Sequence, residues 1–300
     1  MKEIRRVGAS GRGRPVLEGA GVHLKRVFGY SEVVRMDPFL LLDDFRSQDP
    51  THYLAGFPWH PHRGIETITY MLAGSVEHRD SLGNQGVIHP GDLQWMTAGS
   101  GIIHQEMPRG DDSGCMEGFQ LWANLPRKNK LDPPRYREVK AEEVPVLPLH
   151  GGGHIRVLCG EVQGVRGPVT QVVTDPLYLD IQFPAGAQTV LPVDRGHTVL
   201  AYIIAGEIRF HKPVDHRGGI PGSGYYGPRQ DATYGDGDFL YLEEGDGVFL
   251  DVQSAPARVL LFSGKPLGEP VAWQGPIVMN TQAELDAAFA ELRNGTFIKK

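Results

Sequence analysis

Four residues in two short runs have the composition of a metal site. His60-Pro61-His62 and His104-Gln105-Glu106 each carry donors at positions i and i+2, and on an extended strand such positions share a face. Each run therefore aims two donors in one direction, and together they offer three imidazoles and a carboxylate. That set suits a first-row transition metal such as iron, manganese, nickel, copper or zinc, whereas magnesium or calcium calls for oxygen donors alone. A metal that takes six ligands then keeps two positions for water, substrate or dioxygen. A lone His-x-His run is common by chance and more often packs a surface or a core. Two runs at matching places in one repeat unit coincide far less often, so the metal reading is preferred.

The elements that must position these runs are strands. Of 300 residues, 39 are glycine and 23 proline, well above the usual combined share of about 12%. With 40% hydrophobic residues, they punctuate many short strands and disfavour a helix bundle. Tyr70-Met71-Leu72-Ala73-Gly74 matches Tyr202-Ile203-Ile204-Ala205-Gly206 at an offset of 202 − 70 = 132. Downstream, Gly91-Asp92-Leu93 matches Gly237-Asp238-Phe239 at an offset of 146, the 14 extra residues falling in a loop through Gly218, Gly219, Pro221, Gly222 and Gly224. The new offset persists through Gly99-Ser100-Gly101 and Gly245-Asp246-Gly247, which marks an internal duplication. Carried across, His60 and His62 fall on Pro192 and Asp194, and His104 and Glu106 on Leu250 and Val252, so only the first copy keeps ligands and one metal per chain is expected.

Proline and charge between Leu125 and His154, ending in Gly151-Gly152-Gly153, read as a linker. The expected division is residues 1–138 for a metal-binding barrel and 139–300 for a second barrel without ligands. A helix is expected at 281–294, with Thr281 and Glu284 at capping-box spacing, Leu285, Ala288, Phe289 and Leu292 on one face, and Gly295 as its stop.

Thirty basic and 36 acidic residues give a formal net charge of −6, and the basic residues form no stripe for nucleic acid. Two cysteines, Cys115 and Cys159, cannot make a disulfide framework and fit a reducing interior, so a cytoplasmic location is expected, or a nuclear one in a eukaryote. No apolar run has the length of a signal peptide or a membrane span.

Other residues in the chain could take part in the same chemistry. Arg63 should point away from the ligands into a surface or packing role. His78 and His89 have no partner at ligand spacing and read as core or turn histidines. Gln120, Trp122 and Asn124 alternate along a strand and line a cavity or fill the barrel, with packing preferred. Gly99-Ser100-Gly101 precedes a strand and not a helix, which excludes a dinucleotide loop. In Asp236-Gly237-Asp238, Leu240 occupies the next position a calcium loop needs.

These motifs resemble a family. His60-x-His62-x-x-x-Glu66 with Gly74, and Pro90-Gly91-Asp92 followed by His104, are similar to the two motifs of the cupin superfamily. Phe57-Pro58-Trp59-His60-Pro61-His62-Arg63-Gly64, Gly91-Asp92-Leu93-Gln94-Trp95-Met96-Thr97-Ala98-Gly99, Gly101-Ile102-Ile103-His104-Gln105-Glu106-Met107-Pro108 and Met279-Asn280-Thr281 are similar to the pirin family. The resemblance implies an all-β chain of two tandem cupin-type (jelly-roll) barrels, a bicupin, with a C-terminal helix. It implies one non-haem iron held by His60, His62, His104 and Glu106, with manganese, nickel, copper, zinc and cobalt as other compatible ions. Glu66, a metal ligand in simple cupins, is expected to aim inward and stand behind the ligands or serve structure alone. The implied activity is that of a quercetin 2,3-dioxygenase, opening a flavonol with dioxygen and releasing carbon monoxide, with Glu106 as base. The alternative is an iron-dependent co-regulator that binds a protein partner, without nucleic acid, membrane or turnover of its own.

Overall fold

In a computed structural model of the protein, residues 3–210, 229 and 231–299 are described; the glycine-rich loop at 218–224 lies outside them. The chain sorts into two compact units. One comprises Arg14–Val33, Phe39–Ala141 and Leu267–Lys300; the other comprises Met1–Gly13, Val34–Pro38 and Glu142–Pro266.

The unit that carries the histidines is built of two antiparallel sheets. Its seven-stranded sheet runs Arg135–Val139, Leu93–Thr97, Ile65–Ala73, Glu117–Asn124, Phe39–Asp44, Val22–Phe28 and Arg14–Glu18. Its four-stranded sheet runs Phe57–His62, Ile102–Arg109, Ser75–Asp80 and Gln85–Ile88. The other unit repeats this plan. Its seven-stranded order is Val7–Arg12, Asp238–Leu242, Thr198–Ala205, Ala257–Gly264, Leu177–Phe183, His154–Cys159 and Val146–Pro148. Its four-stranded order is Gln188–Pro192, Gly247–Asp251, Glu207–Phe210 and Thr233–Gly235. The duplication thus extends to the order of strands. Gly74 and Gly206 hold matching turns at φ of +72° and +69°. A Cβ there would lie 2.5 Å from the Arg109 carbonyl oxygen and 2.3 Å from that of Pro256, so neither turn accepts a side chain.

Pairing refines how the copies correspond. His60 lies opposite His104 and His62 opposite Ile102; in the second unit Thr189 lies opposite Leu250 and Leu191 opposite Val248. The counterparts of His60 and His62 are therefore Thr189 and Leu191, not Pro192 and Asp194, because the connection to the next strand is longer in the second copy. The absence of imidazole there stands. Leu191, Val248, Leu250 and Val252 are all buried in one apolar core with Ile203 and Tyr234.

A single cut between 138 and 139 does not describe these units. Val7–Arg12 pairs with Asp238–Leu242 in the second barrel, whereas Leu267–Lys300 belongs to the unit of the first. The helix, Gln282–Arg293, has the expected capping box between Thr281 and Glu284. Its Leu285 and Ala288 pack on Ile277, Met279 and Phe297, all in the same unit. Arg63 serves this packing: it is buried, bonds the Phe297 carbonyl at 2.9 Å and Glu291 at 2.7 Å, and lies 4.1 Å over the Phe297 ring. Among the described residues no helix is long and apolar enough to cross a membrane.

Candidate metal centre

His60 and His62 lie on the edge strand Phe57–His62, and His104 and Glu106 on its neighbour Ile102–Arg109. The pairing slips between His104 and Glu106, so that Glu106 lies opposite Phe57; such bulges turn side chains at functional sites. The three imidazoles each offer a nitrogen within 4.8 Å of the others.

Their outward hydrogen bonds decide which nitrogen is offered. His60 Nδ1 meets the Pro58 carbonyl at 2.9 Å and His62 Nδ1 meets the Pro276 carbonyl at 3.2 Å. A carbonyl only accepts, so both rings carry their proton on Nδ1 and present a bare Nε2 inward. Those two Nε2 atoms are 3.1 Å apart, a poor contact between two lone pairs and a good one for two ligands of one cation. His104 Nε2 is buried without a hydrogen-bond partner, which costs about 1–3 kcal/mol unless something binds it. Burial first, and the neighbouring imidazoles second, hold His62 and His104 well below the usual histidine range, so both are neutral donors. These observations fit a transition metal on three Nε2 atoms.

Glu106 approaches from one side. Its Oε2 is 4.0 Å from His104 Nε2. Thr69 Oγ1 donates to its Oε1 at 3.2 Å, and Gln120 Nε2 donates to Oε1 and Oε2 at 3.3 and 3.2 Å. Trp122 in turn donates to Gln120 Oε1 at 3.3 Å and meets His62 edge-on at 4.9 Å. Gln120 and Trp122, expected as packing, thus hold the site residues. Asn124, one step further along that face, bonds Lys130 Nζ at 2.6 Å.

Glu66 does not join them. Gly64, at φ of +77°, breaks the strand, and a Cβ there would lie 2.0 Å from the Val278 carbonyl oxygen. The period-2 register therefore does not carry through from His62. Beyond the break Thr69 faces Glu106, so Glu66, an odd number of positions away on an unbroken strand, faces the other side. There Thr97 Oγ1 donates to it at 2.7 Å, and burial raises its carboxyl above the usual range.

Lys130 ties down the same break. Its buried ammonium donates to the carbonyls of Gly64 and Val278, each at 2.9 Å, and to Asn124, and burial pushes it down to about 7. His78 was expected to stand apart, yet its Nδ1 lies 3.4 Å from His104 Nδ1 and its Nε2 lies 3.3 Å from Asp80. His89 is an exposed turn residue whose backbone N–H bonds Asp92. Asp238 binds Arg12, Arg229 and the Gly235 N–H, a structural role that excludes a calcium loop.

A cleft of about 600 Å³ opens onto His60 and His62. Trp122, Trp273, Tyr30 and Phe57 wall it, and Arg26 and Asp43, paired at 2.8 Å, stand on its polar side. The hairpin Ala272–Gln274 to Ile277–Met279 supplies Trp273, Gly275 and Pro276. Glu106 instead faces a small apolar chamber lined by Val22, Leu24, Val76 and Met116, which shares Asp43, Phe57 and Gln120 with the cleft.

The chain resembles known proteins in both sequence and structure. The family described as Pirin matches residues 21–123, and the Pirin C-terminal cupin domain matches residues 178–298. A Pirin-like protein of Caulobacter vibrioides is 41% identical over 288 residues, covering 95% of this chain and 96% of that one. The Pirin of Mus musculus is 39% identical over 295 residues, covering 98% and 94%. The crystal structure of a quercetin 2,3-dioxygenase from Acinetobacter baumannii matches with a TM-score of 0.84 at 30% identity, over 98% of each chain.

Proposed function

Because the chain belongs to the pirin family of two-barrel cupins, we propose that it is a metal-dependent dioxygenase that opens the heterocyclic ring of a flavonol-like aromatic with O2. The single observation behind this reading is the clustering of three imidazoles at an aromatic-walled cleft onto which His60 and His62 open, with His104 buried behind them and the hydrogen-bonded Glu106 carboxylate beside it. His60, His62, His104 and Glu106 are assigned as the ligands, with iron as the preferred ion. The bound ion supplies Lewis-acid polarisation of the substrate oxygens and access to dioxygen.

The chain's own residues do the rest. Trp122, Trp273 and Tyr30 bind a planar ring by stacking and edge contacts. Glu106 accepts the proton of the substrate hydroxyl, and the donors from Gln120 and Thr69 fix its orientation for that transfer. Oxygen uptake with a flavonol by metal-loaded protein, compared with Glu106→Gln, tests the reading. If loaded wild-type protein consumes no oxygen with any flavonol, the reading fails in favour of a metal-dependent co-regulator. Trp59, adjacent to His60 and 53% exposed, is an apolar surface beside the site that such a partner could contact.

A further inference from the structure

The metal reading leaves two buried polar residues of the first barrel without a task. His78 is fully buried and Asp80 is 6% exposed, on the strand Ser75–Asp80 beside the ligand strand. The register sets His78 opposite Glu106 and Asp80 opposite His104, so all four side chains share one face. His78 lies diagonally from His104, its ring stacked on Tyr136 at 4.7 Å.

The direction of the bonds follows from the assignment of His104. An imidazole that gives Nε2 to a metal keeps its proton on Nδ1. That N–H points at His78 Nδ1, 3.4 Å away, which must accept and therefore carries its own proton on Nε2. This second N–H points at Asp80 Oδ2, 3.3 Å away. Both contacts lie at the outer edge of hydrogen-bond range, but no other partner competes for either His78 nitrogen. Asp80 is itself fixed by the N–H groups of Leu82 and Asn84 at 2.9 and 3.0 Å and by the Asn84 side chain at 2.8 Å. His60 and His62 rest on neutral carbonyls, so His104 is the one ligand connected to a carboxylate.

We propose that Asp80 and His78 form a relay that fixes His104 as an Nε2 ligand and passes carboxylate charge to it, making both positioning residues that raise metal affinity and lower the reduction potential of bound iron. The inference rests on the metal assignment above and needs no particular substrate. Outer partners of this kind typically change metal affinity by about 10- to 100-fold.

The test titrates metal-stripped protein with Ni2+ and measures the Fe3+/Fe2+ potential of iron-loaded protein, for wild type, His78→Phe, His78→Gln and Asp80→Asn. The phenylalanine keeps the ring against Tyr136 and removes the acceptor; nickel affinity should fall about 10- to 100-fold. Glutamine can accept from His104 and donate to Asp80, so it should restore affinity to within a few-fold. Asp80→Asn keeps an oxygen for the turn and removes the charge, so the potential should rise. Wild-type affinity in His78→Phe, or an unchanged potential in Asp80→Asn, overturns the relay while leaving the metal site in place. If His78→Phe does not fold, the glutamine variant and the Asp80→Asn potential decide in the same way. A wild-type chain that takes up neither ion overturns the relay and the metal assignment together.

Discussion

The two barrels share strand order, matching glycine turns and a common ancestor within one chain, yet one surrounds polar donors and the other a continuous apolar core. In the first, His60 faces His104 across a strand pair, and Gln120, Thr69, Trp122 and His78 surround the donors. In the second, the same positions hold Thr189 and Leu250, with Leu191 and Val252 beside them in the apolar cluster. Burying unpaired imidazole costs stability unless each nitrogen is matched. A barrel either keeps the whole polar network or fills the space with aliphatic groups, and this chain shows both outcomes. The difference teaches that the scaffold tolerates the site and does not require it.

The largest break in that comparison should come from His104→Ala. Elemental analysis should find the metal lost, and oxygen uptake with it; a variant that retained a full equivalent of metal would show the ligand assignment to be wrong. Next, Glu106→Gln keeps one acceptor oxygen for Thr69 and Gln120 but removes the proton acceptor, so turnover should fall by about 100- to 10,000-fold while the three imidazoles keep the metal. The matching substitution in the other barrel, Leu250→Ala, should leave metal content untouched and lower unfolding free energy by about 2–5 kcal/mol in denaturant titrations.

Lys130 gives a smaller effect with a defined pH sign. Its folded value, pushed down to about 7 from the usual 10.5, means that the unfolded chain binds more protons between those values. Stability should therefore increase as pH rises from 7 towards 10, by on the order of a few kcal/mol. Lys130→Met should flatten that slope; melting curves at pH 7 and 9 give the answer, and an unchanged slope removes Lys130 as its source. Trp273→Ala, which opens one wall of the cleft, should raise KM for a planar aromatic by roughly tenfold or less with kcat preserved.

Much of this was legible in the chain itself. His60, His62, His104 and Glu106 follow from period-2 spacing, the duplication from recurring Gly-Asp and Ala-Gly turns, and the helix from Thr281 and Glu284. What spacing could not reveal depends on pairing between distant strands. His78-x-Asp80 has the same i, i+2 form as His104-x-Glu106, but only the register of two neighbouring strands sets the pairs side by side. Spacing alone does not set the direction of Glu66, because the alternation that carries His60 and His62 is reset at Gly64. The assignment of residues 267–300 to the first barrel is invisible to composition, since the segment follows the second barrel in sequence.

That last placement bears on how the centre comes into being. A ribosome delivers His60, His62 and His104 early, but the carbonyl that sets the proton of His62 comes from Pro276, after the whole of the second barrel has been made. A nascent chain paused before that point has all three imidazoles and lacks the bond that fixes one of them. The hydrogen bond that orients His62 is therefore available only to chains synthesised through the hairpin.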